Sequence, residues 1–238
     1  MSEKEKNELT VLYEIDGNEV KLTPTIVQNF LVNGDANITL PEFKMFTEMC
    51  KVRKLNPFLK EAYIIKYSEK SPATIVVGKD AILKRAVLHR QYNGREQGII
   101  VVNLKGEIEE RQGTFKLADE DLVGGWARVF RKDVEHPTYI SVSFDEVKQE
   151  KTVYSNGKPA GKELNSSWAS KPCTMVEKVA LVRALRETFV EELSGMIDAD
   201  EAWTEVASIP KRDKKAEIIE QIEPEIVEGK ATLNLDEV

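Results

Sequence analysis

Residues 39–80 read TLPEFKMFTEMCKVRKLNPFLKEAYIIKYSEKSPATIVVGKD, and the order of elements in this stretch frames the rest of the chain. Thr39 followed three residues later by Glu42 is a capping box: the hydroxyl accepts from the first helical turn while the carboxylate reaches back. Phe43, Phe46, Met49 and Cys50 then fall on one stripe at helical spacing, with Lys44, Lys51, Arg53 and Lys54 outside it. Asn56-Pro57 stops the helix, because the residue before a proline is pushed out of helical conformation. Two β-branched apolar runs follow at 62–67 and 73–77, joined by the polar turn 68–72, so paired strands are predicted. Gly78-Lys79-Asp80 opens a second helix carrying Ala81, Ile82, Arg85, Ala86 and Leu88.

Upstream, residues 10–22 alternate apolar and polar around Asp16-Gly17, which predicts a hairpin whose turn needs positive φ. Thr23-Pro24 starts a short helix through Leu31, with proline where its missing N–H is harmless, and Gly34 ends it. Downstream, strands are predicted at 98–103, 107–115, 123–132 and 138–144, punctuated by Gly106, Gly124-Gly125 and Pro137. Residues 151–170 are polar and glycine-containing and are expected to form a long loop. From Pro172 to Val190 no breaker occurs and apolar residues cover most of a helical circumference, so that helix is expected to be buried. After Pro210 the chain is charged and poor in aromatics, too little to support a core, although 212–222 fits an amphipathic helix. The division expected is an N-terminal hairpin and helix at 1–39, a core at 40–207 and an acidic tail at 208–238.

The chain has 238 residues, 41% hydrophobic and 32% charged, a size suited to one main domain with appendages. No run of eighteen apolar residues exists, so no transmembrane helix and no membrane partner are expected. The charged N-terminus lacks an apolar signal region, and Cys50 and Cys173 stand far apart outside any CxxC pair, so reduced thiols of a cytoplasmic protein are expected. The only other soft ligands are His89 and His136, so a structural zinc site is not expected. The net charge of −7 divides into −4 over 1–40, +6 over 41–190 and −9 over 191–238. A basic body between acidic ends suits nucleic acid, or a merely solvated surface. The acidic end could also compete with nucleic acid for the body, as a tethered mimic.

Nucleotide hydrolysis finds no support. Gly157-Lys158-Pro159-Ala160-Gly161-Lys162 has three residues between its glycines where a P-loop has four, and Glu163 stands where Ser or Thr would hold magnesium. A metal-dependent nuclease could use Asp133, or Asp145 with Glu146-Val147-Lys148, but such triplets arise by chance in so charged a chain. Binding chemistry remains. As a strand, 126–132 places Trp126, Arg128, Phe130 and Lys132 on one face. There the aromatics either stack bases between phosphate contacts or face the core while the cations snorkel. On the helix from Pro172, Lys171, Lys178 and Arg186 lie within about 80° of one another. Cations on a mostly buried helix must line a groove or pair with groups such as Glu177 or Glu187.

Three blocks in order give the chain a resemblance. Leu55-Asn56-Pro57-Phe58-Leu59-Lys60-Glu61-Ala62-Tyr63 with Val76-Val77-Gly78, then Arg128-Val129-Phe130-Arg131-Lys132-Asp133 with His136-Pro137, then Trp168, Pro172, Met175, Lys178, Ala180, Ala184, Arg186 and Phe189 together resemble the Bet/RecT family of phage recombination proteins; Glu201 stands where that family carries an acidic pair. The resemblance implies an α+β fold in which a small antiparallel sheet packs with helices to form a DNA-binding groove. It implies ATP-independent binding and annealing of single-stranded DNA, through an annealed duplex intermediate, by an oligomeric ring or helical filament. The partners it implies are a phage exonuclease and a host single-strand-binding protein in a bacterial cytoplasm; no cofactor, metal or catalytic site is implied. Lys60, Arg128, Lys132, Lys178 and Arg186 are the DNA contacts it suggests. The two positions after Pro172 are basic in the lambda-type relative but Cys173 and Thr174 here, so Lys171 is added as a substitute contact. The C-terminal region is shorter and more acidic, so partner docking there is not carried over. A passive single-strand-binding protein, a nuclease and a scaffold are the alternatives.

Overall fold

The capping box at Thr39 forms, and its carboxylate does more than start a helix. A computed structural model describes residues 9–155 and 158–199, all within one compact unit. The unit opens with the hairpin β1 (Val11–Ile15) and β2 (Asn18–Leu22), turning at Asp16-Gly17, both at positive φ. Helix α1 (Pro24–Phe30) is capped by Thr23, and β3 (Val32–Asn33) follows. The hairpin and α1 share the main core through Tyr13, Ile15, Val20, Leu22 and Val27. Helix α2 (Leu40–Val52) buries Phe43, Phe46 and Cys50, the stripe its spacing predicts. A single 3-10 turn at Pro57–Leu59 leads into β4 (Ala62–Ile65), which pairs with β5 (Thr74–Val77) antiparallel and with β3 in parallel. Glu42 binds this sheet to α2: one oxygen accepts from the Thr39 N–H (2.7 Å) and the Lys66 ammonium (2.8 Å), the other from the Ala73 N–H (2.8 Å). Lys66 is 2% exposed, so this carboxylate is its counter-charge in the interior. Helix α3 (Lys79–Leu88) follows.

The main sheet is four-stranded and antiparallel, in the order β7 (Ile108–Gln112), β6 (Tyr92–Val102), β8 (Asp121–Arg131), β9 (Thr138–Ser143). Its inner face contributes Ile99, Val101, Ala127, Val129 and Val142 to the core, together with most of helix α6 (Pro172–Thr188). The crossing is close because Gly125 has no side chain: a Cβ there would stand 2.7 Å from the Val176 carbonyl oxygen. The chain ends its described course through α7 (Val190–Leu193) and a return along the small sheet, where the Val77 N–H donates to Ile197 O (2.8 Å). Arg53 fastens this return by donating to the carbonyls of Glu191, Glu192 and Ser194, a cation placed on the open end of a helix.

The molecule is therefore mixed α+β, with small antiparallel sheets and several helices. One predicted segment is different in kind. Residues 151–170 are not a loop: after α4 (Phe144–Val147), strands β10 (Glu150–Ser155) and β11 (Lys158–Leu164) form a hairpin, and α5 (Ser166–Ser170) follows under an Asn165 cap. Its register sets Lys151 opposite Glu163 and Thr152 opposite Lys162, with no apolar period to betray it. Strand β6 likewise begins six residues before the predicted start. Its polar Gln97 is turned to use by donating to the buried Glu177 on α6 (2.6 Å). Among the described residues no helix is long and apolar enough to cross a membrane. The tail at 208–238, the suggested helix at 212–222 and Glu201 lie outside the described residues.

Candidate nucleic-acid interface

Alternation along β8 sends Ala127 and Val129 to α6 and leaves Trp126, Arg128 and Phe130 on the outer face of the sheet. Strand register places Glu96 of β6 and Tyr139 of β9 on either side of Arg128. The guanidinium carbon lies 4.6 Å from the Trp126 ring and 5.1 Å from the Tyr139 ring. Its nitrogens reach Glu110 (2.9 Å) and Glu96 (3.7 Å), and the Tyr139 hydroxyl donates to the same Glu110. Burial and that carboxylate hold the Tyr139 phenol above its ordinary pKa. Trp126 is buried, yet outside the core cluster that meets α6; its indole N–H donates to Arg111 O (3.2 Å). Arg128 covers it on the outer face of the sheet. Phe130 is half-buried.

The cations suggested from the sequence divide into two groups. Lys60, Lys132 and Lys171 are exposed and make no ion pair with a described residue. Lys60 follows the 3-10 turn, Lys132 follows β8, and Lys171 precedes α6. Arg128 is held as described. Lys178 lies 2.7 Å from Asp198, with side chains 20% and 5% exposed, so an ion pair occupies the middle of the α6 stripe. Arg186 is half-buried and also engaged. Glu177, one partner weighed for the stripe, instead accepts from Gln97. Asp198, Glu110, Glu96 and Tyr139 carry no motif; only strand register and the return of the chain along β5 reveal them.

A family model for the RecT family matches residues 17–219. The chain belongs to the RecT family. No curated protein matches it. RecT proteins bind single-stranded DNA, act in single-strand annealing recombination, and are DNA-annealing proteins rather than catalysts as a rule.

In this RecT-family chain two of the carboxylates considered for a nuclease, Asp133 and Asp145, are engaged by neighbouring cations. Asp133 takes a two-pronged contact from Arg131 (2.9 and 2.6 Å), which holds its carboxyl below the usual range. The same Arg131 donates to Thr188 O at the end of α6 (3.0 Å). Asp145 pairs with Lys148 (2.9 Å). Among the described residues no three His, Cys, Asp or Glu side chains gather as metal ligands. Of the glycine-lysine segment rejected as a P-loop, Lys158–Leu164 is strand β11, and Gly157 lies outside the described residues. Both cysteines are free thiols; burial pushes Cys50 up to about 12 and raises Cys173 as well.

Proposed function

We propose that this protein anneals complementary single strands of DNA without nucleotide hydrolysis, holding each strand by its phosphates and leaving base edges free to pair. Annealing is downhill once mutual phosphate repulsion is screened, so fixed cations can supply what the task needs. The observation that carries the reading is the contrast between the two groups of cations. Among the described residues Lys60, Lys132 and Lys171 stand exposed without a carboxylate partner, while Arg128 and Lys178 are committed to ion pairs. The first group neutralises phosphate directly. Arg128, Lys178 and Arg186 join only where phosphate displaces a present partner.

A long strand spans more than one such body, so copies assemble side by side as a ring or helical filament around a continuous groove. A phage exonuclease supplies the strands and a host single-strand-binding protein hands them over. The test is an annealing time course with complementary oligonucleotides, without ATP, comparing wild type with the Lys60→Ala, Lys132→Ala, Lys171→Ala triple variant. The proposal expects rapid annealing by wild type and a large loss in the triple variant. A protein that binds the strands and slows their pairing is a passive binder, and that result overturns the proposal.

A further inference from the structure

The turn between α2 and β4 is over-determined for its size. The Asn56 side chain accepts from the Phe58 N–H (3.1 Å), and the Asn56 backbone carbonyl accepts from the N–H groups of Leu59 (3.1 Å) and Glu61 (3.3 Å). The Glu61 carboxylate accepts from the Asn56 N–H (2.8 Å) and the Lys84 ammonium (3.2 Å). Lys60 adopts φ 59°, a left-handed conformation that costs a non-glycine residue strain. Gly78 permits the fit: a Cβ there would stand 2.9 Å from the Lys60 carbonyl oxygen. Leu55 and Pro57 anchor the turn inside the protein. All this bracing presents two apolar side chains to water, Phe58 at 51% and Leu59 at 67% exposure, beside the exposed Lys60, which makes no ion pair with a described residue.

We infer that Phe58 and Leu59 form a base-stacking tip, with Lys60 on the adjoining phosphate; the inference rests on the single-strand-binding function proposed above. A flat ring and a short aliphatic chain on a rigid turn match a nucleobase face, and a cation beside them matches the backbone that carries it. The alternative occupant, a second copy of the chain, fits less well. Half a phenylalanine and two-thirds of a leucine offer about 200 Å², against about 800 Å² per partner in a stable protein interface. Strain held in place by surrounding hydrogen bonds fits a pre-ordered contact, which loses little freedom on binding.

The experiment uses the full chain, single strands carrying 2-aminopurine, and the variants Phe58→Ala/Leu59→Ala and Phe58→Trp. Both positions are exposed, so the variants should fold, and circular dichroism verifies it. The expected result is a 2-aminopurine signal on wild-type binding that the double alanine variant loses. Its affinity should fall roughly 5- to 150-fold, the range of one base–aromatic stack, with an unchanged salt slope because no phosphate contact is removed. Phe58→Trp should keep the signal. If the double variant binds with wild-type affinity and signal, the tip is not a base contact, while the single-strand-binding function stands. If the variant instead loses self-assembly in the absence of DNA, the tip belongs to a protein interface and the inference fails. If wild type itself does not bind single strands, both proposals fall.

Discussion

Replacing Glu42 by alanine should come close to unfolding the protein, although Glu42 lies far from every suggested DNA contact in sequence except Lys60. Its loss strands the Lys66 ammonium, 2% exposed, without its counter-charge, which costs about 3–5 kcal/mol. The Thr39 and Ala73 N–H groups lose their acceptor as well, adding about 1 kcal/mol. A loss of about 4–6 kcal/mol compares with a total stability of about 5–15 kcal/mol for a domain, and corresponds to a fall of roughly 10–20 °C in Tm. Thermal and urea melts at pH 7, followed by circular dichroism, measure it. Glu42→Ala combined with Lys66→Met should recover much of the loss, since both charges then leave the interior together. The acid limb gives a second reading. Burial raises the Glu42 pKa, but hydrogen bonds from Lys66, Thr39 and Ala73 outweigh it and hold the value below the ordinary one. A carboxylate depressed in the folded state contributes stability above its unfolded pKa and loses it as pH falls through the folded value. The gap between wild type and Glu42→Gln should therefore narrow in acid. A Glu42→Ala variant that loses under about 1 kcal/mol, or shows no coupling to Lys66, would refute the reasoning.

Other expectations follow from the same contacts. The Lys60→Ala, Lys132→Ala, Lys171→Ala variant should melt like wild type, while its salt slope for single-strand binding falls by about 0.7 per contact removed, as read by fluorescence anisotropy across a salt titration. Lys178→Ala should behave oppositely: it removes the ammonium that lies 2.7 Å from Asp198, whose side chain is 5% exposed, and should cost about 2–4 kcal/mol in a urea melt. Truncation after residue 207 removes five basic and eight acidic residues; if the tail competes with DNA, affinity should rise at low salt and converge with wild type as salt screens both.

Much of the fold is legible in the sequence where apolar period and capping chemistry coincide. The Thr39–Glu42 box, the Phe43/Phe46/Cys50 stripe and the long helix from Pro172 all lie where their patterns place them. The β10–β11 hairpin is illegible because charged and small residues are interleaved with its few apolar ones, leaving no clear period of two. Charge reads less well than apolarity. A lysine in a sequence is the same symbol whether it meets water, as Lys132 does, or a buried aspartate, as Lys178 does. The partner, Asp198, arrives only because the chain returns along β5. Part of the acidic end proves to be structural for the same reason: Glu192 meets His89 (3.3 Å) and Asp198 meets Lys178. Arg128 shows the converse, where register sets Glu96 and Tyr139 opposite one cation and Glu110 of β7 reaches it across the sheet.

The central claim, that exposed surface lysines let this RecT-family protein pair strands with no energy source, is tested most directly by the rate of annealing of complementary oligonucleotides in the absence of ATP. Wild type is predicted to anneal them well above the spontaneous rate, with no further gain on adding ATP, and the Lys60→Ala, Lys132→Ala, Lys171→Ala variant to fall back toward the spontaneous rate while remaining folded. A wild-type rate at or below the spontaneous one, or annealing that appears only when ATP is supplied, would contradict it.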